Sequence, residues 1–376
     1  MDDADIIVVG AGVVGCATAA QLAQEGQDVL VLEAGDFPNP TATSYGSGRN
    51  FRFAYHEGGT YVPLLKRSHE RWLSLDGSTS ENLFVTTGSL TIGQSDGDTF
   101  PGALETCRDY DIDHEVLDAE SVNDRFQAYD LPDEYRAVHQ PDGGVLDAKQ
   151  CLVTLADEAL SLGAQLHARE PVTSWTETSD GVEVQTPMTT WRAETIVIAS
   201  GPWAANSLET VGSMLERERH VACRFLPTDR AAFAPESFPV FVMDVVDGRH
   251  FYGMPEPRLP GFKVGAPHVD GADVHPEDAS GASLAEADAA RGFARDFAPA
   301  GDGSTMGLRE CVLTHSPDGD FIVDRLPGRE QVVVAVGMSG HGFKMAPAIG
   351  EIAAALAVED TPPVNTNAFS VARFED

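Results

Sequence analysis

Two glycine-rich clusters and a handful of cationic residues in this sequence have the types and spacing to do chemistry. The first cluster is Gly10-Ala-Gly12-Val13-Val14-Gly15, followed by Glu33 at 18 positions beyond the last glycine. In a GxGxxG turn the first glycine allows a tight bend, the second lets the backbone approach a diphosphate, and the third brings a helix close to a strand. A helix starting at such a turn offers unpaired N–H groups and its positive end to phosphates, and Glu33 would accept hydrogen bonds from a ribose. The chemistry implied is dinucleotide binding. The second cluster is Gly337-Met-Ser-Gly340-His341-Gly342-Phe343-Lys344. Its small residues would let a flat group lie against the backbone, and the helix start after it could take an anion. An ordinary strand-to-helix turn is the alternative, and it rarely needs so much glycine.

Composition singles out further residues. Only four of the 25 basic residues are lysine (Lys66, Lys149, Lys263, Lys344), and two of them fall in glycine-containing segments, Gly261-Phe-Lys263-Val-Gly265 and the 337–344 loop. The five cysteines, at 16, 107, 151, 223 and 311, are odd in number and show no CxxC spacing. That pattern indicates neither a disulfide framework nor a zinc site and suits a reducing compartment.

The elements that must position these residues follow from the apolar pattern. Residues 5–9 predict a buried strand, Ala17, Ala20 and Leu22 a helix running to Gly26, and residues 29–32 a second strand, giving a complete β-α-β unit around the first cluster. Further parallel-type strands are predicted around 165–167, from 195 towards Gly201, and over 332–336, with helices over 152–163 and through Ile349, Ile352, Ala355 and Leu356. Residues 81–140 and 205–310 differ in texture, with short alternating runs such as 238–243 and 250–253 that read as antiparallel strands. The fold class expected is α/β: a Rossmann-type domain built from 1–80, 141–204 and 311–376, interleaved with an α+β, antiparallel-sheet substrate domain built from 81–140 and 205–310. The acidic 270–302 stretch reads as a solvated surface helix with loops.

At 376 residues with 42% hydrophobic side chains, the chain can bury a sizeable core, which excludes small stapled scaffolds and wholesale disorder. A formal charge of −34 repels phosphate backbones and anionic headgroups, so neither nucleic acid nor membrane is an expected partner. Acid-rich, lysine-poor surfaces suit concentrated salt, where charges are screened within a few ångströms, and a halophile's cytoplasm is the expected setting. An acidic patch for a cationic partner would instead cluster the acids, which here are spread along the chain. No basic residue precedes Arg49 and no run of about 20 apolar residues occurs, so neither a signal peptide nor a membrane span is expected.

With these segments assembled, the chain resembles, end to end, the FAD-dependent amine oxidases of the monomeric sarcosine oxidase and N-methyltryptophan oxidase family, within the D-amino-acid-oxidase-like superfamily. The carriers are the GxGxxG with Glu33, Ser44-Tyr-Gly-Ser-Gly-Arg49-Asn-Phe-Arg52-Phe-Ala-Tyr55-His-Glu-Gly58, Tyr61-Val-Pro-Leu, Phe251-Tyr252-Gly253, Gly261 to Gly265, Arg309-Glu-Cys311 before Ser316-Pro-Asp318, and Ser339 to Lys344. The resemblance implies FAD with its isoalloxazine between the two domains, oxidation of a secondary or primary amino acid to an imine, and reoxidation by O2 to give peroxide. It implies that Arg52 and Lys344 hold the substrate carboxylate, that Lys263 activates oxygen over the flavin face, and that Arg49 lies near the ring. Cys311 matches the cysteine joined to the flavin's 8α-methyl carbon by a thioether; the other four cysteines read as inert packing. Tyr252 fits a substrate-side tyrosine, and His268 falls one position beyond the family's active-site histidine. FAD contacts are implied for Gly10, Gly12, Val13, Val14, Gly15, Glu33, Ala34, Ser44, Arg49, Val172, Gly201, Cys311, Gly337, Gly340, His341, Gly342, Phe343 and Lys344. Leu313 replaces an aromatic residue and Tyr45 a histidine seen in some members, which points to a bulkier or more apolar amine than sarcosine. The expected partners are a small amino acid and O2, and the expected state is a monomer or small homo-oligomer. Two flavin readings stay open beside the oxidase: an amino-acid dehydrogenase passing electrons to another acceptor, and a flavoprotein subunit of a hetero-oligomer. An NAD-dependent reductase would leave the 49–55 segment and the 337–344 loop unexplained.

Overall fold

The computed structural model describes residues 2–208, 211–266, 274–278 and 281–374. Strands Ile6–Val9 and Val29–Leu32 consist only of Ile, Leu and Val, and both sheet faces bury them, as a parallel sheet with helices on both sides requires. They lie within a six-stranded sheet in the order Gln165–His167, Val29–Leu32, Ile6–Val9, Thr195–Ile198, Val332–Val336, Ile322–Arg325, parallel up to the last, antiparallel pair. Helix Val13–Gln24 follows the first strand and packs between helices Ala148–Ser161 and Ala346–Ala357. Its inward positions are largely alanine, cysteine and glycine, which is what lets two helices approach it at once. The helix predicted over 152–163 begins earlier, because Asp147 accepts a hydrogen bond from the Gln150 N–H and caps it at Ala148.

An eight-stranded sheet makes the second layer, in the order Ser304–His315, Glu216–Leu226, Phe262–Gly265, His250–Pro255, Val240–Asp244, Ser89–Gln94, Tyr135–Gln140, Glu115–Asp118. Its pairs are antiparallel except for the parallel pair of Val240–Asp244 with Ser89–Gln94. An aromatic core including Phe225, Phe241, Phe251 and Phe262 lies against it. Helix Asp288–Phe297, inside the stretch expected to be solvated, buries Ala290, Phe293 and Ala294 and stacks Phe293 on Phe241 at 5.1 Å. Its acids face water while its apolar stripe completes the core. The expected domain seam at 310/311 falls inside strand Ser304–His315, which pairs along its whole length with Glu216–Leu226.

A three-stranded sheet, Gly48–Phe51, Gly144–Asp147 and Phe84–Thr86, lies between these layers and carries the 49–52 segment. A fourth sheet pairs Asp2–Asp3, Thr190–Ala193, Gly181–Gln185 and Ser174–Thr178. Among the described residues no helix is long and apolar enough to cross a membrane.

Candidate active site

Four strands of the six-stranded sheet end at one place: Ile6–Val9 runs into Gly10, Val29–Leu32 into Glu33, Thr195–Ile198 towards Gly201, and Val332–Val336 into Gly337. Ligands of open α/β sheets bind at such carboxyl ends. All four ends line a single cavity of about 1190 Å³ that continues to the inner face of the eight-stranded sheet. Gly10 has φ +102°, and a Cβ there would stand 2.7 Å from Ala199 O, so the turn is open only to glycine. A Cβ on Gly15 would come within 1.9 Å of Gly10 O. Gly15 does not line the cavity, and its place is in the packing of helix on turn. The Val13 N–H donates to Ser44 Oγ at 3.0 Å, which draws the 40–48 segment over the helix start. Glu33 accepts from the Ala11 N–H at 2.9 Å, the Gly35 N–H at 2.8 Å and Asn39 Nδ2 at 3.0 Å. Three of its roughly four lone-pair sites are thereby used, so the carboxylate is fixed with capacity left for a ribose hydroxyl. Gly12, Val14, Ala34, Val172 and Gly201 line the same end. The donor turn, the anchored acid and the volume of the cavity fit an adenine dinucleotide.

Further along, the cavity passes between strand Gly48–Phe51 and the eight-stranded sheet. Arg49 donates to Thr43 O at 2.7 Å and Tyr45 O at 3.0 Å, and its guanidinium lies 5.2 Å from the centre of the Phe343 ring. Lys263, on strand Phe262–Gly265, donates to Gly48 O. Burial, with Arg49 beside it, holds its pKa down at about 7. Cys311 lines the cavity on strand Ser304–His315, directly opposite His220 on strand Glu216–Leu226. Burial pushes the Cys311 thiol up, while Arg49, Arg309 and Lys263 pull it down. Tyr252 reaches over Gly265, where a Cβ would meet its ring at 2.0 Å, and its hydroxyl is 2.9 Å from His220 Nε2. Cys16, Cys107, Cys151 and Cys223 are buried, and burial raises all four thiols.

A second cationic group sits where the 49–58 segment meets the 337–344 loop. Arg52 and Lys344, 3% and 7% exposed, flank the Tyr55 ring at 4.4 and 5.1 Å. Lys344 Nζ donates to the Tyr55 hydroxyl at 3.2 Å and to His341 O at 3.1 Å, and burial next to Arg52 brings its pKa to about 7. His341 Nδ1 lies 2.6 Å from the same hydroxyl, and burial lowers its pKa to about 3, so the imidazole is neutral. Arg52 pairs with Glu57, whose carboxyl is pushed up by burial but lies well below the ordinary range because the surrounding positive groups, Arg52 first among them, together outweigh it. Gly337, Gly340, Gly342 and Phe343 line the cavity beside these groups. The structure therefore brings together every expected site residue except Gly15, which packs beneath the turn, and His268, which lies outside the described residues.

Residues 5–356 match the family described as DAO, FAD dependent oxidoreductase. The chain belongs to that family. It is 31% identical to monomeric sarcosine oxidase of Bacillus sp. (strain NS-129), over 98% of this chain and 96% of that protein. It is equally identical to N-methyl-L-tryptophan oxidase of Yersinia pestis (strain Pestoides F), over 99% of this chain and all of that one. Among solved structures, NikD, an unusual amino acid oxidase essential for nikkomycin biosynthesis, superposes with TM-score 0.86 at 28% identity, covering 98% of each chain. Glycine oxidase from Geobacillus kaustophilus superposes with TM-score 0.83 at 19% identity, a likeness of fold. This FAD-dependent oxidoreductase also has site neighbours that the sequence reading passed over: His220, Glu57, and Arg309 as a cation in its own right. The alternation Glu218, His220, Ala222 on one strand is the signal that could have found the first, since all three line the cavity.

Proposed function

We propose that the protein oxidises a secondary, N-methyl-type amino acid to an imine and passes the electrons to O2, giving H2O2. The observation that carries this reading is the pair of buried cations, Arg52 and Lys344, at the end of the cavity remote from the ribose acid. A carboxylate leaving water for such a place needs charge-assisted partners, and a guanidinium can bind it with two parallel hydrogen bonds. The two 31%-identical relatives, named for sarcosine and N-methyl-L-tryptophan, support an N-methyl amino acid in particular. In this reading residues 1–80, 141–204 and 311–376 form the flavin-binding part and 81–140 and 205–310 the substrate part.

FAD, when bound, supplies the electron acceptor for the C–N bond being oxidised. The remaining roles belong to the chain. Gly12, Val13, Ser44 and Glu33 hold the dinucleotide. Arg52 and Lys344 fix the substrate by its carboxylate, with Tyr55 and neutral His341 orienting the lysine. Tyr252 and Leu313 shape the space for the amine's substituents, and the aliphatic side chain at 313 admits a larger one. The amine must be neutral to be oxidised, and a dry pocket rich in positive charge favours loss of its proton. Lys263, when protonated, provides a positive charge where oxygen becomes anionic. Cys311 is the point of thioether attachment to the flavin.

The test is oxygen uptake by the purified protein in about 2–4 M salt, where screening is near complete. Sarcosine, larger N-methyl amino acids, proline, glycine and D-amino acids are offered, with peroxide and an electron-acceptor dye read in parallel. Peroxide from an N-methyl amino acid is the expected result. Dye reduction without oxygen uptake would overturn the oxidase reading in favour of a dehydrogenase.

A further inference from the structure

In a chain with 59 acidic against 25 basic side chains, a cavity-lining cation without an acid is an exception that needs a reason. Around Cys311 there are three. Arg49, Lys263 and Arg309 make no ion pair among the described residues, and their donors go to backbone carbonyls instead. They differ in how much of their charge is spent. Arg49 donates to three carbonyls, those of Thr43, Tyr45 and Gly48. Lys263 is the kind of cation that loses its proton on burial, whereas a guanidinium stays charged. Arg309 gives one amino group to Pro40 O at 2.8 Å and lies 5.0 Å from the centre of the Tyr45 ring. Its Nε is buried with no hydrogen-bond partner.

Arg309 stands two residues before Cys311 on strand Ser304–His315, so both side chains leave the same face of the sheet. Ala222, opposite Arg309, is too small to come between them and the cavity. We propose that Arg309 is a positioning residue for flavin attachment, its permanent charge on the same strand face as Cys311 favouring the thiolate as the sulfur gives up its proton. The inference rests on the thioether reading above and adds the group that makes the sulfur a nucleophile. A thiol in this place is a poor nucleophile at rest, because burial outweighs the surrounding cations and leaves its pKa raised, so each cation counts in forming the thiolate. The groups facing the sulfur are Arg49 from strand Gly48–Phe51, Lys263 from Phe262–Gly265, Tyr252 from His250–Pro255, His220 from Glu216–Leu226, and Arg309 and Glu310 on its own strand. Glu310 opposes the cations, but its carboxylate is bound to Arg219.

In the attachment step the sulfur forms a bond to the flavin's 8α carbon, and one C–H bond at that carbon breaks. The electron pair released enters the ring, and the two protons, one from the thiol and one from the methyl carbon, complete the reduced flavin. O2 then reoxidises the ring and leaves as H2O2.

The experiment uses the full chain, produced under riboflavin limitation and given FAD in air at a series of pH values. Flavin that stays with the chain after denaturation is read by its fluorescence, and total bound flavin by absorbance before denaturation. Wild type should incorporate faster as pH rises to a plateau. Arg309→Met should shift the midpoint up by about one unit and be about tenfold slower below it, with total binding unchanged, one unit being a factor of ten in thiolate. Arg309→Lys should lie between wild type and the Met variant, since an ammonium there can lose its proton. If the Met variant does not fold, Arg309→Gln is read the same way. Superimposable profiles for wild type and the uncharged variant would overturn the inference. So would a lower yield in both the Met and Lys variants without a shifted midpoint, which would make Arg309 a clamp on Tyr45. Bound but wholly releasable flavin in wild type would sink the thioether reading itself, a result distinct from either.

Discussion

Lys263 and Arg52 are both buried cations, but they are stabilised differently, and their substitutions should separate the two halves of the reaction. Lys263 donates to a backbone carbonyl, and burial with Arg49 beside it lowers its pKa to about 7. Lys263→Met should slow reoxidation by O2 by roughly 10²–10³, the cost of losing one preorganised charge at a developing anion. Anaerobic reduction by substrate should change little, and stopped-flow traces of the two half-reactions check this; equal losses would remove Lys263 from the oxygen step. The same lysine makes a linkage prediction for the flavin-free protein. Its folded pKa lies below its unfolded value near 10.5, so between about 7 and 10.5 the unfolded chain binds more protons and stability rises with pH. Lys344, also held at about 7, adds a similar rise, so urea melts of wild type should show the sum and Lys263→Met should remove about half of it. Arg52 instead has an acid partner, Glu57, and faces the proposed carboxylate site. Arg52→Ala should raise KM by about 30-fold or more, the equivalent of roughly 2–5 kcal/mol for one partner of a buried charge pair. Unchanged KM in a variant that still melts cooperatively would place the carboxylate elsewhere.

Among the elements, helix Val13–Gln24 sets the tolerances of the cofactor end, because its N-terminus is the proposed phosphate site and its body is wedged between two other helices. Gly350, on helix Ala346–Ala357, is the tightest point: a Cβ there would lie 2.6 Å from the Ala17 carbonyl carbon and 2.7 Å from its Cβ. Gly350→Val should therefore push the two helices apart and lower stability by about 1–3 kcal/mol, the range for overpacking a core. FAD affinity should fall with it, and calorimetry of the flavin-free and loaded protein checks both. A variant that melts like wild type would mean that the helices have room to part. The β-α-β unit, the 195–198 and 332–336 strands and their shared end were legible in the sequence, because continuous Ile-Val-Leu runs punctuated by glycine have few other meanings. The caps and the exact ladder were not. Asp147 begins its helix with a hydrogen bond that looks like any acid in an acidic chain, and residues 288–297 read as solvated because their burial lies in a stripe of Ala and Phe among acids. At the site, Arg49, Arg52, Lys263, Cys311 and Lys344 were legible as separate segments. That Arg309 and His220 face the same sulfur was not, since cross-strand register between 216–226 and 304–315 spans some 90 residues of chain and has no local signal.

The whole molecule carries a net charge of −34, with 59 acidic side chains against 25 basic ones, so most acids have no basic partner. Such self-repulsion destabilises the compact state, because folding concentrates charges that the unfolded chain spreads apart. Salt relieves it: the screening length falls from about 10 Å at 0.1 M to about 3 Å at 1 M, shorter than the spacing of most surface charges. The interior cations respond in the other direction only weakly, since buried groups such as Arg52 with Glu57 are screened far less than exposed ones. Stability should therefore rise with KCl through the surface term while the site stays intact. At about 2 °C per kcal/mol in a chain of this size, relief of several kcal/mol raises Tm by roughly 5–10 °C between 0.1 and 2 M KCl. Scanning calorimetry checks the rise, with sucrose at matched water activity as the control for exclusion from the surface. A Tm that is flat in KCl, or that rises equally in sucrose, would mean that the acids are already spaced widely enough to ignore one another, and the composition would then say nothing about a saline setting.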